Sequence, residues 1–170
     1  MTNYLLDGDK LADDLVFLQA IFVSKRFQRF DVDKHYILWG MEISREKKIF
    51  ELLIESAMKL RIIDDIHKDF EEAVELPFPV VGILKKKVNS GSFVDEEQLT
   101  FRECCNKIIH AQWYGLDYDD DGVLPTVNFQ GMKGKAEWRA EVDIHKFIIS
   151  GISYCIGYDE NWDISSRRSQ

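Results

Sequence analysis

Apolar positions along the chain change their period more than once. Leu11, Leu15, Leu18 and Phe22 recur at spacings of three and four, with Val16 and Ile21 widening the stripe. That spacing predicts an amphipathic helix from Asp9 to about Arg29. Asp31 to Gly40 breaks the pattern. From Ser44 to about His67 the helical period returns, with Ile49, Leu53, Ala57, Leu60 and Ile63 or Asp64 on one face and Phe50, Ile54 and Met58 on its neighbour. So wide an apolar arc belongs at the centre of a fold. Between Asp69 and Gln98 no period is legible. Pro77 and Pro79 stop a helix, Lys85, Lys86 and Lys87 read as a solvated edge, and Asn89-Ser90-Gly91-Ser92 reads as a loop.

A third helix begins at Thr100, with Glu103 three residues on completing a capping box. Its pattern runs through His110 to about Tyr114 and ends near Gly115. After the acidic turn Asp117 to Gly122 the period becomes two. Thr126 to Phe129 alternate, and then Ala136, Trp138, Ala140 and Val142 share one face against Glu137, Arg139 and Glu141, with Gly131 and Gly134 between. This predicts a β-hairpin covered on one side. Asp143 caps a fourth helix with Ile144, Phe147, Ile148, Ile152 and Cys155 inward, and Asn161 to Gln170 reads as a frayed tail. The expected fold is mainly α: a single domain over residues 1–170, a four-helix up-down bundle with a β-hairpin inserted between the third and fourth helices.

Composition agrees with a packed globular chain, 45% hydrophobic and 31% charged over 170 residues. The net charge of -8 has the wrong sign for a protein held on nucleic acid by bulk electrostatics or adsorbed on anionic lipid. No DNA partner and no membrane partner are expected. Cys104, Cys105 and Cys155 are too few and too oddly placed for a disulfide framework. Met1 to Lys10 lacks the basic start and apolar run of a signal peptide. The expected location is cytoplasmic.

No Cys/His spacing resembles a zinc site and no glycine-rich phosphate loop occurs, so neither a metal nor a cofactor is expected. Asp117, Asp119, Asp121 and Gly122 do match the start of a calcium loop, with Leu124 at its usual apolar position. Asn128 stands where that loop needs a bidentate glutamate, and an acidic connector explains the same residues. Trp39, Trp113, Trp138 and Trp162 read as core or interface residues, since no basic groove accompanies them.

Candidate chemistry lies on the third helix. Arg102, Asn106 and His110 fall at i, i+4 and i+8, along one slowly drifting stripe. A guanidinium grips phosphate with two prongs, an imidazole moves a proton near neutral pH, and a carboxamide holds either. The competing reading is structural: a surface Arg, and Asn106 bonded to a semi-buried His110. Asn is unfavourable inside a helix, so Asn106 implies at least a polar network. Cys105 within helical reach of His110 raises a Cys–His nucleophile as a further option.

The segment Phe101-Arg102-Glu103-Cys104-Cys105-Asn106-Lys107-Ile108-Ile109-His110-Ala111 resembles the signature helix of the HEPN superfamily, four-helix-bundle domains of toxins, defence systems and RNA-cleaving proteins. Asn106 and His110 match that family's Arg-Asn-x-x-x-His form. Cys105 stands where its Arg would be, and seven residues separate Arg102 from His110, one more than that family's pattern allows. The resemblance implies a homodimer, with an interface that includes the third helix, and an RNA or protein partner. With the arginine displaced, the leading expectation is a non-catalytic relative that acts through dimer or partner interaction. The alternative is a metal-independent endoribonuclease whose Arg102, Asn106 and His110 meet across two subunits.

Overall fold

In the computed structural model, the described residues are 7–24, 36–67, 76–87, 93–117 and 126–168. They form α1 (Gly8–Ser24), α2 (Tyr36–His67), β1 (Val80–Lys87), β2 (Phe93–Thr100), α3 (Phe101–Ile109), β3 (Trp113–Asp117), β4 (Thr126–Lys133), β5 (Ala136–Asp143) and α4 (Ile144–Arg168). The four expected helices are present, but they do not make a bundle with one inserted hairpin. The strands join into a five-stranded sheet in the order β2-β1-β5-β4-β3, antiparallel at every pairing. The expectation of a mainly α, four-helix up-down bundle is therefore corrected to an α+β arrangement, helices against one face of an antiparallel sheet.

The correction comes from the segment with no legible period. The lysine run is the end of a strand that lies between β2 and β5, not a solvated edge. Charge there is a cross-strand ladder: Lys85 Nζ lies 3.3 Å from Glu96 and 2.9 Å from Glu141, Lys86 Nζ 2.6 Å from Glu97, and Lys87 Nζ 3.2 Å from Glu137. A register shift between Val80 and Gly82 further hides the alternation of β1. Asn89 to Ser92 lie outside the described residues.

The hairpin of β4 and β5 is where the period of two placed it. Trp138, Ala140 and Val142 are buried together with Val127 and Phe129, and Leu84 and Leu99 extend the same apolar face across β1 and β2. Gly134 turns the hairpin at φ 64, a left-handed conformation open to glycine. Gly131 lies within β4, against the Trp138 indole.

The helices cover this face with the residues that set their periods. Leu11, Leu15, Leu18 and Phe22 of α1 and Ile49, Leu53, Ala57, Leu60 and Ile63 of α2 are buried, as are Ile144, Phe147, Ile148 and Cys155 of α4. Met58, expected on the flank of the apolar arc, is exposed. Phe50 stacks on Tyr114 at 3.9 Å between ring centroids and ties α2 to β3. Phe101 stacks on Phe147 and Tyr154, joining α3 to α4. Element ends also differ from expectation. α2 starts at Tyr36 inside the supposed break, α3 stops at Ile109 so that Trp113 to Asp117 is strand, and α4 continues through Arg168. Among the described residues no helix is long and apolar enough to cross a membrane.

Two glycines differ in what a Cβ would meet. A Cβ on Gly82 would overlap the Glu141 carbonyl oxygen, which belongs to the paired backbone of β5. A Cβ on Gly151 would lie 2.9 Å from Leu15 Cδ1 and 3.2 Å from Leu60 Cδ1, both ends of flexible side chains. Gly82→Ala is thus expected to destabilise by about 3 kcal/mol, through backbone displacement at the centre of the sheet. For Gly151→Ala the gain in helix propensity, about 1 kcal/mol, offsets the crowding and leaves stability within ~1 kcal/mol of the parent. Urea denaturation of the two variants checks the contrast.

Candidate functional site: a polar seam between α2 and α3

β2 passes directly into α3. Thr100 ends the strand with extended backbone, and its Oγ1 accepts from the Glu103 amide at 3.4 Å. Glu103 turns its carboxylate along the helix, where it meets Lys107 Nζ at 3.1 Å and accepts from Asn106 Nδ2 at 3.4 Å. Phe101, Cys104, Cys105 and Ile108 are buried within the chain. The apolar surface of α3 is thereby covered by the protein's own core.

Arg102 and Asn106 face the C-terminal part of α2. Arg61 Nε donates to Asn106 Oδ1 at 3.0 Å. Arg61 also reaches Asp65 at 2.6 Å and Asp64 at 3.4 Å. Arg102 spans the same two carboxylates, pairing with Asp64 and lying 2.8 Å from Asp65. From α4, the Tyr154 hydroxyl donates to Asp64 Oδ1 at 2.8 Å. Two guanidiniums thus share two carboxylates around the buried Asp64, and an amide and a phenol close the cluster.

Burial, and then the neighbouring Arg61 charge, lower the Arg102 pKa from its usual high value. Burial opposes ionisation of Glu103, yet the hydrogen bonds from Lys107 and Asn106 outweigh it and hold the carboxyl below its ordinary 4.5. Burial, with Cys105 adding to it, raises the Tyr154 phenol. Burial also pushes the Cys105 thiol up to about 12, and Cys104 well above its ordinary range. A thiol so placed stays protonated at neutral pH, which removes the Cys105–His110 nucleophile.

The three candidate catalytic residues are divided. Arg102 and Asn106 are brought together by α2, while His110 is not part of the cluster. α3 ends at Ile109, and His110 is its C-cap, exposed, with a backbone amide that donates to the Asn106 carbonyl at 3.1 Å. The semi-buried Asn106–His110 side-chain pair does not form. The Asn106 amide is used at both ends by Arg61 and Glu103.

Arg61, Asp64, Asp65 and Tyr154 were missed by sequence reasoning, although Asp64 gave a signal by falling on the apolar face of α2. Lys107 was missed as well. It is 8% exposed and its Nζ lies 4.6 Å over the Trp138 ring, a cation–π contact that reaches from α3 to the sheet. Trp113, expected in the core or an interface, is 51% exposed. Of the calcium-like turn, Asp117 ends β3, whereas Asp119, Asp121, Gly122 and Leu124 lie outside the described residues.

No family model, curated protein or solved structure matches the chain.

Two outcomes follow from the seam. Arg102→Ala removes one of the two guanidiniums on Asp64 and Asp65 and should cost about 2 kcal/mol, less than a fully buried pair because Arg102 is partly exposed. In a double-mutant cycle with Arg61→Ala, the double variant should depart from additivity by about 1 kcal/mol, because both arginines serve the same acids. The second outcome is a pH dependence. The Glu103 pKa is lower in the folded than in the unfolded chain, so its contribution is full above the ordinary 4.5 and fades as pH falls through the lower folded value. Glu103→Gln should flatten that acid limb of a stability-against-pH profile and leave the region above pH 6 with nearly the parent's slope.

Proposed function

We propose that the chain is a non-catalytic protein that acts by binding a protein partner. The observation that carries this reading is the use of Arg102 and Asn106 as internal ties between α3 and α2. A guanidinium whose two terminal nitrogens already face carboxylates can grip a phosphodiester only by sharing or giving up those contacts. Asn106 is equally occupied, and His110 stands on the surface without them.

The resemblance to the HEPN helix enters as a proposal about one segment. Asn106 and His110 stand at that family's spacing, and Cys105, a buried neutral thiol, stands at the place of its arginine. An RNA-cleaving dimer would need Arg102 to leave Asp64 and Asp65 and meet His110 of a second copy. The net charge of -8 opposes the approach of RNA as well. Three buried free cysteines suit a reducing compartment, and the cytoplasm is the proposed location.

The test is an RNA-cleavage assay of purified protein with chelator present. No cleavage above background is expected from the parent, His110→Ala or Arg102→Ala. Because His110 is exposed, His110→Ala should also keep stability within ~0.5 kcal/mol. Chelator-resistant cleavage by the parent that both substitutions abolish would overturn the proposal in favour of the ribonuclease.

A further inference from the structure

The sheet has two edges of unlike character. β2 carries Asp95, Glu96 and Glu97 in succession, the kind of charge that discourages strand addition. Antiparallel self-pairing about Glu96 would set carboxylate against carboxylate at all three positions. The opposite edge, β3, is Trp113-Tyr114-Gly115-Leu116-Asp117, with one charge in five residues. Among the described residues nothing pairs with its outer side.

We infer that two copies of the chain pair antiparallel through β3, about a two-fold axis at Gly115. Register restricts the choice. In a strand bonded on one side, alternate residues turn their backbone groups outward, so self-pairing must match residues of the same parity. A two-fold axis centred on a residue does this, and an axis centred between residues does not. Centring on Gly115 uses all five residues, matching Trp113 with Asp117 of the partner subunit and Tyr114 with the partner subunit's Leu116. Same-parity pairing also keeps the faces aligned. Tyr114, opposite the buried Phe129, and Leu116, opposite the buried Val127, stay on the helix side. Trp113 and Asp117 stay on the open side.

Charge and shape fit this geometry. Trp113 lies over its own Gly115, where a Cβ would come within 2.6 Å of its Cη2, and the indole is half exposed. Pairing covers that exposed ring with the neighbouring strand and places an indole N–H donor on the same row as a carboxylate, at both ends of the two-fold contact. Each unpaired backbone group gains a partner, and the two sheets become one with both helix layers on the same side. Self-pairing of β3 is independent of whether the chain cleaves RNA.

Sedimentation equilibrium at tens of micromolar tests the pairing, with circular dichroism to confirm the fold of each variant. The parent should be a dimer. Trp113→Asp sets a carboxylate beside Asp117 of the partner subunit twice per dimer and should raise the dissociation constant about tenfold or more. Trp113→Lys, at the same exposed site, sets opposite charges there and should stay within about threefold of the parent. A monomeric parent would overturn the inference, and so would two variants that both remain dimeric or both dissociate.

Discussion

The pairing of β1 with β5 holds the structure together. Each belongs to its own hairpin, one on either side of α3 in the chain, and their contact makes a single sheet of the two. It requires the β1 backbone to come so close at Gly82 that a methyl group would meet the Glu141 carbonyl. Once formed, it aligns Leu84 with Ala140 and Gly82 with Val142, which gives the helices a continuous apolar floor. It also sets Lys85 beside Glu141 and Lys87 beside Glu137, so the open face is a ladder of paired charges.

α3 is the consequence that matters for chemistry. Because it starts at the residue after β2, its place is set by the sheet edge, and its polar side is carried against the C-terminal part of α2. Asp64 is buried there. A carboxylate in that position must be paired or neutralised, and two arginines and a tyrosine hydroxyl meet that need, while the Asn106 amide ties Arg61 to Glu103. Arg102 and Asn106, two of the three residues that suggested a phosphate site, are thus also tied into the charge held between two helices. On the side of α3 that meets the sheet, Lys107 is buried while its ammonium reaches Glu103 and the Trp138 face.

How much of this was legible depended on whether periodicity and charge agreed. α1, the second half of α2, the β4–β5 hairpin and the start of α4 were legible because apolar residues at the buried positions carry the period, even though Val16, Phe17, Met58 and Ile62 are exposed. β1 and β2 were not. Lys85 to Lys87 and Asp95 to Glu97 look like solvated loop, and only their mutual pairing across strands makes them a sheet, a long-range fact with no local trace. β3 was absorbed into a helix because Trp113 and Tyr114 continue an apolar pattern that Ile108 and Ile109 begin. At the site, Asn106 correctly announced a polar network. Its partner on the other helix, Arg61, lies 45 residues earlier, and their meeting follows from how α2 packs on α3. His110 is not a member because α3 ends at Ile109 and leaves His110 as its exposed C-cap, where the i, i+4, i+8 stripe has already turned about 80° from Arg102.

Departures from local rules are where function or strain concentrates. Several of them here cancel one another: Asp64 on an apolar face, Asn106 inside a helix and Lys107 under the surface all satisfy each other's groups or their neighbours'. The edge at β3 is different. Trp113 is a large aromatic left half exposed, and Gly115 interrupts a short edge strand that lacks the charge defending the other edge. Directly across from Gly115 in β4, Asn128 is 6% exposed and its Oδ1 meets no donor among the described residues. Packing within the chain explains the first group of departures and leaves this second group unexplained, which is why the proposed self-pairing is placed at the β3 edge rather than at the helix whose sequence first suggested a site.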